Sequence, residues 1–364
     1  MNASTSNHHH SAAIAPAYRL EVRNLSTSFS TDEGVIQSVA DVSFTIRPGK
    51  TTALVGESGS GKSVTSLTLM RLLPRTATTH VTGQALYTNA SGETLDLLQL
   101  PEARMRAIRG NEIAMIFQEP MTSLNPVFTI GEQIAESLRL HKRMDSASAL
   151  AQALRLLEMV EIPAAAQRVK EYPHQLSGGM RQRVMIALAM ACDPKLLIAD
   201  EPTTALDVTI QAQILELMRR LQLETGMSIL FITHNLGVVA HHADEVAVMY
   251  AGRIVETAPV HPLFAQPQHP YTQGLLACLP SQQRRRAVLI DGKKRLYAIR
   301  GQVSSPLAPP PGCAFEPRCD QAIAACRDAM PALSVDDDGR SARCILPRTS
   351  SGLPSVAAAQ EVMA

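Results

Sequence analysis

The sequence predicts an α/β protein with a largely parallel central sheet covered on both faces, followed by a small cysteine-containing C-terminal appendix. Three observations carry this. Short apolar, β-rich runs at residues 51–55, 196–199, 229–233 and 246–250 alternate with helical segments such as 208–223, a pattern that belongs to sheets buried on both faces. The first run leads into Gly56-Glu57-Ser58-Gly59-Ser60-Gly61-Lys62-Ser63, which has the spacing glycine, four residues, then Gly-Lys-Ser. After about Pro262 the composition shifts to Pro, Gln, Arg and Cys.

Taken in order, residues 1–17 lack the basic start and apolar core of a signal peptide and read as a disordered leader, with His8-His9-His10 as polar filler. Residues 18–23 and 35–46 cluster β-formers around a Ser/Thr/Gly-rich turn, predicting a small sheet ahead of the glycine-rich loop. Residues 67–73 read as helix closed by Pro74, and 74–111 as a mixed polar segment with a hairpin. Residues 111–118 give a second buried strand with the polar Gln118 at its end. From 131 to about 160, Ile134, Leu138, Leu140, Leu150, Leu154, Leu157 and Val160 predict helix. Ser177-Gly178-Gly179 opens another helix to Cys192, stopped at Pro194, and the Ser/Ala-rich residues 348–364 read as a disordered tail.

At 364 residues the chain is long enough for one large domain and a smaller one, and 45% hydrophobic residues supply a sizeable core. A net charge of +1, no Trp and 4% aromatics argue against a nucleic-acid-binding surface. No run reaches the roughly 18 apolar residues of a spanning helix. The expectation is a cytosolic protein with six reduced cysteines that reaches a membrane only through a partner.

The loop at 56–63, between a strand and a helix N-terminus, is suited to a nucleoside triphosphate. Backbone N–H groups and the positive helix end face the phosphates. Lys62 is placed to reach the β- and γ-phosphates, and the Ser63 hydroxyl to ligate Mg²⁺. The strand 196–199 ends in Asp200-Glu201. Asp200 is placed to hold Mg²⁺ and Glu201 to polarise an attacking water, since two adjacent buried acids need a cation. His234 ends the strand 229–233, where it can contact the γ-phosphate and orient Glu201. Gln118 suits a residue that senses Mg²⁺ and the γ-phosphate. Asp207 alone reads as a helix N-cap. Leu176-Ser177-Gly178-Gly179-Met180-Arg181-Gln182-Arg183 makes a second anion nest. One nucleotide does not need two nests in one subunit, so a head-to-tail dimer is expected, each nest closing on the partner's ATP.

With these residues in place, the chain resembles an ABC transporter ATPase, and more narrowly the ATPase subunit of bacterial oligopeptide/dipeptide importers. The resemblance spans about Tyr18 to Cys344. It includes Phe117-Gln118-Glu119-Pro120-Met121-Thr122-Ser123-Leu124-Asn125-Pro126, Asp200-Glu201-Pro202-Thr203-Thr204-Ala205-Leu206-Asp207, Met249-Tyr250-Ala251-Gly252-Arg253 and His269-Pro270-Tyr271-Thr272-Gln273-Gly274-Leu275-Leu276. It implies a P-loop, ABC-type nucleotide-binding domain at 18–262, with a RecA-like core, an antiparallel β subdomain and a helical subdomain at about 119–180. An importer-type extension at 263–347 follows. Phe29 would stack on adenine, and residues 56–64, including Val64, would cradle ATP and Mg²⁺ with Gln118 and Asp207. Glu201 would be the general base, His234 its switch, and Ser177-Gly178-Gly179 the contact to the partner-bound γ-phosphate. Met180, where many relatives carry Gln, fits the D-type member of the paired ATPases; Asn235 follows His234 where Asp is commoner. The implied partners are an F-type ATPase, two permeases and a substrate-binding protein, at the cytoplasmic face of the inner membrane. Nickel, an opine or glutathione stand as alternative cargoes. A soluble ABC ATPase acting on ribosomes or DNA is disfavoured by the single phosphate loop and the absence of sustained heptads.

Cys313, Cys319, Cys326 and Cys344 have the spacing C-x5-C-x6-C-x17-C. This is too wide for a zinc ribbon and unlike the tight ferredoxin run. Gly312-Cys313-Ala314-Phe315-Glu316-Pro317-Arg318-Cys319 resembles the family's Gly-Cys-x-Phe-x-x-Arg-Cys, which implies a [4Fe–4S] cluster; zinc, or no metal, stays open beside it.

Overall fold

A computed structural model describes residues 17–346 except 75, 77, 119–122, 205, 280–287, 291–292 and 296. The expected leader (save residue 17), the expected tail, Glu119-Pro120-Met121-Thr122 and Ala205 lie outside the described residues.

Strands β1 (Leu20–Thr31) and β2 (Gly34–Ile46) pair antiparallel across a tight turn. With β4 (Thr79–Thr88) and β5 (Thr94–Asp96) they form a four-stranded sheet in the order β2-β1-β4-β5. Alternation decides the inner face: Val42, Phe44 and Ile46 of β2 are buried, every second residue. The expected hairpin in 74–111 is β4–β5, followed by helix α2 (Glu102–Ile108).

The second sheet has eight strands among the described residues. Its parallel core is β9 (Glu245–Tyr250), β3 (Thr51–Val55), β8 (Ser228–Thr233), β7 (Leu196–Asp200) and β6 (Ile113–Ile116). Every residue of β3, β7 and β8 is buried, the physical reason these segments read as unbroken apolar runs. Strand β10 (Arg253–Pro259) turns back antiparallel on β9, and β14 (Ser341–Ala342) and β13 (Ser334–Val335) extend that edge.

Two helical expectations are corrected. The helix expected at 67–73 is α1, Lys62–Leu69: it starts where Gly61 ends the loop at φ 101°, and Arg71 at φ 51° forbids continuation. The stretch 131–160 is two helices, α3 (Ile130–Lys142) and α4 (Ser146–Met159). Arg143 at φ 55° closes the first, and the Asp145 carboxylate accepts from Ala147 and Ser148 N–H to open the second. After the short α5 (Ala165–Arg168), helix α6 (Gly178–Met190) packs with α3 and α4 into one core, to which α7 (Val208–Thr225) contributes Ile214 and Leu217.

Residues beyond Pro262, which composition sets apart, share a core with the sheet. Leu263 and Phe264 of α9 (Val260–Ala265), Tyr271 and Leu276 of α10 (Pro270–Ala277), and Phe315 pack with Val55, Val248 and Tyr250 beside the short α8 (Leu236–His242). A strand pair β11–β12 (Val288–Ile290 with Lys293–Arg295) lies between α10 and Phe315 in the chain. No helix among the described residues is long and apolar enough to cross a membrane.

Candidate nucleotide site

The loop between β3 and α1 is seated by glycine at two points. A Cβ on Gly56 would lie 2.2 Å from the Met249 carbonyl oxygen, and one on Gly61 would lie 2.4 Å from that of Ser38. No side chain caps the start of α1, so its first N–H groups face the loop as an anion site. Lys62 opens the helix, buried, its Nζ donating to the carbonyls of Gly56 (2.8 Å) and Glu57 (3.0 Å). Burial lowers its pKa, against the pull of Glu201, Asp200 and Glu57. Ser60 is buried with its hydroxyl unpartnered, while Ser58 and Gly59 border a cavity of about 400 Å³ shared with residues 303–306 and 309–311.

Asp200, the last residue of β7, is buried beneath this helix. Its two carboxylate oxygens accept from Ser63 Oγ (3.1 Å) and Ser66 Oγ (3.2 Å). Burial raises its pKa, and the two hydroxyls pull against that rise. A hydroxyl and a carboxylate side by side next to the loop are the oxygen ligands a hard cation such as Mg²⁺ takes; the donor set fits.

Glu201 leaves β7 in the left-handed region at φ 47°, held by its N–H to the Ile232 carbonyl (2.9 Å). One carboxylate oxygen accepts from Thr204 Oγ1 (2.9 Å) and, at 3.5 Å, from Gln118 Nε2. The other lies 3.2 Å from His234 Nδ1. Gln118, Glu201 and His234, from the ends of three adjacent parallel strands, thus meet at one point, the edge where such sheets bind ligands.

The remaining predicted residues sit elsewhere. Ser177 caps α6, accepting from Met180 N–H, and Asp207 caps α7, accepting from Ile210 N–H at 2.9 Å. Gly178 lies beside Leu206, while a Cβ on Gly179 would come within 2.8 Å of Ile210, so the glycine admits α7. Phe29 is half-buried in β1 opposite Ile36 and Thr79, and Val64 packs against the core. Four residues of the site escaped sequence reasoning: Ser66 and Thr204, which hold the two acids, and Tyr271 and Arg318, which hold Glu57. The first two follow a helical turn and an acid-to-hydroxyl spacing; the last two stand in motifs that carry the resemblance, but those motifs give no sign of their partner in the loop.

In the appendix, Cys313 N–H donates to the Cys326 carbonyl (2.8 Å). Burial raises the thiols of Cys313 and Cys344, and that of Cys319 to about 11, and neighbouring thiols add a smaller push in the same direction to each. Among the described residues no three His, Cys, Asp or Glu side chains are grouped to hold a metal. The four thiols influence one another but are not drawn together as a metal site among the described residues.

Two family models match: ABC transporter over residues 39–204, and oligopeptide/dipeptide transporter, C-terminal region, over 255–326. A Brucella melitensis protein assigned as a peptide import ATP-binding protein is 54% identical over 326 residues, covering 90% of this chain and 96% of its own. A similarly assigned Brucella abortus protein is 52% identical, covering 91% and 96%. A dimeric ATP-binding cassette solved in a post-hydrolysis state with ADP and Pi is 26% identical, with a TM-score of 0.58, covering 66% of this chain and 98% of that one. The chain belongs to the ABC transporter ATPases, in the group that carries the oligopeptide/dipeptide transporter C-terminal region, and as such binds ATP with Mg²⁺ and hydrolyses it.

Proposed function

We propose that this chain hydrolyses ATP to drive import of di- and oligopeptides through membrane permeases. The meeting of Gln118, Glu201 and His234 beside the Lys62–Ser63–Asp200 cluster supports the catalytic part. The C-terminal family match and the relatives' assignments support the cargo.

Residues 56–64 bind the phosphates, Lys62 turning its Nζ from the loop carbonyls to the β- and γ-phosphates. Phe29 stacks on adenine. Ser63, Asp200 and Gln118 hold Mg²⁺, which when bound neutralises charge on the phosphate oxygens. Glu201 takes the proton of the attacking water, and His234 orients Glu201 and the water. Ser177, Gly178, Gly179 and Asp207 face the nucleotide of a second, F-type ATPase in a head-to-tail pair. We place the permease contact on the segment that follows Gln118; the exposed Phe117, Val127 and Phe128 on either side of it support that placement. Met180 supports the D-type assignment. We divide the chain into an ATPase domain at 18–262, its helical subdomain at about 119–180, and an extension at 263–347. The assembly lies on the cytoplasmic face of the inner membrane, fed by a substrate-binding protein outside.

An iron–sulfur cluster on Cys313, Cys319, Cys326 and Cys344 rests on the resemblance alone. Visible absorbance with bound iron in anaerobically purified protein would establish it, and iron-free protein would end it.

Affinity purification from detergent-solubilised membranes tests the function. Co-elution of two permeases and a second ATPase is expected, and the associated binding protein then distinguishes peptides from nickel, opines or glutathione. Elution alone or with ribosomes would overturn the transport reading.

A further inference from the structure

Glu57, the second residue of the phosphate loop, is gripped from the C-terminal segment. Its carboxylate oxygens accept from Arg318 Nη1 at 2.8 Å and Nη2 at 3.2 Å, a two-pronged contact. Its N–H donates to the Tyr271 hydroxyl oxygen at 3.0 Å. The same Gly56–Glu57 peptide offers its carbonyl to Lys62 Nζ at 2.8 Å, so both ends of that peptide are held.

Arg318 is built into place. It ends the short turn Glu316–Arg318, and its side chain is 5% exposed against 28% for Glu57. Its Nε donates to the Arg300 carbonyl at 2.8 Å. The guanidinium lies over the rings of Tyr250 (5.7 Å) and Phe315 (6.0 Å), which themselves pack edge to face. A pair so held differs from an exposed surface pair, which contributes little.

The chemistry supplies a reason. A loop that receives a triphosphate has an acid at its second position, and an unpaired carboxylate there repels the phosphates. We propose that Arg318 is a positioning residue for ATP binding: from the C-terminal segment it cancels the Glu57 charge and, with Tyr271, fixes the loop. This rests on residues 56–63 being the ATP cradle. The extension thereby sets nucleotide affinity from a residue 261 positions along the chain from its partner in the loop.

The test is titration of the full-length chain with a fluorescent ATP analogue and Mg²⁺. R318Q is expected to weaken binding about tenfold or more, because it strands a charge beside the phosphates. R318Q/E57Q is expected to regain most of that loss, and R318K to fall between. A role confined to folding predicts no regain in the double variant. In the assembled ATPase, R318Q should raise KM with kcat nearly kept. If R318Q does not fold, R318K and Y271F carry the test, each weakening binding severalfold. Wild-type affinity in R318Q, or in both R318K and Y271F, overturns the proposal, as does a double variant no tighter than R318Q. If wild type binds no nucleotide, or K62A binds it equally well, the cradle assignment itself fails.

Discussion

The phosphate-loop edge and the C-terminal segment contribute to one site in opposite ways. The first is built locally: strand, glycine turn and helix follow one another over residues 51–69, and Asp200 and Glu201 arrive as the end of one apolar strand. The second sets Tyr271 on the helix α10 but has little regular structure around Phe315 and Arg318, two short 3-10 turns and two-residue strands. It acts through a packed aromatic group, Tyr250, Tyr271 and Phe315, with ring centroids 4.6–5.4 Å apart, and through half-buried polar contacts to Glu57. The contrast teaches that the reacting groups are specified by short-range spacing, while the bracing that holds them is a long-range property of the fold.

If that division is right, changes at the strand ends strike chemistry hardest. Glu201→Gln is expected to keep ATP binding and lose turnover by about 10² to 10⁴-fold, as removal of a general base does. Near-normal hydrolysis in the assembled complex would move that role elsewhere. Lys62→Ala should weaken ATP itself by about tenfold or more, read by nucleotide titration, since it removes a buried cation aimed at the loop; unchanged affinity would count against the cradle. Gly56→Ala probes the seating of the loop against β9. With the Met249 oxygen 2.2 Å from the new carbon, the loop must shift, at a cost of about 1–3 kcal/mol in stability. A wild-type unfolding midpoint would show the seat to be loose.

Acid separates the two regions in another way. His269 is fully buried, caps α10 by accepting the Tyr271 N–H at 3.0 Å, and burial lowers its pKa to about 3. The unfolded chain takes up this proton below about 6.5, whereas the folded chain stays neutral down to about 3. The unfolded state therefore binds more protons in that window. Stability is whole above it and is lost as pH falls through it, by roughly 2–3 kcal/mol at about pH 4.5. His269→Asn keeps a capping acceptor and should flatten the slope in urea unfolding; an unaltered slope would place the acid sensitivity elsewhere. The smallest effect is expected from Ser66→Ala. It removes one of two hydroxyls on Asp200, about 1 kcal/mol of stability by chemical denaturation, and a loss above about 3 kcal/mol would mean that Ser66 does more than support that acid.

The residues that sequence reasoning found and those it missed follow the same line. The buried strands were legible because parallel strands covered on both faces tolerate little but apolar side chains, and the loop because its glycines meet carbonyls at distances no Cβ permits. The helix boundary at Lys62 was missed because the polar Lys62, Ser63, Thr65 and Ser66 disguise an α1 turn that points into the site. The break at Arg143 was missed because a left-handed arginine has no pattern of its own. Arg318 is a fixed position of the Gly-Cys-x-Phe-x-x-Arg-Cys motif, but nothing in that motif points to Glu57. That partner is 261 residues away, and only the core formed by Phe315 with Tyr250 brings them together. Composition separated the extension for the same reason: its prolines and cysteines hide the few large side chains that join it to the sheet.

Uptake of a labelled oligopeptide by cells lacking this chain tests the central claim most directly. The account predicts that uptake fails, that the wild-type chain restores it, and that Lys62→Ala, expressed at equal level, does not. Equal uptake with and without the chain, or full restoration by Lys62→Ala, would contradict it.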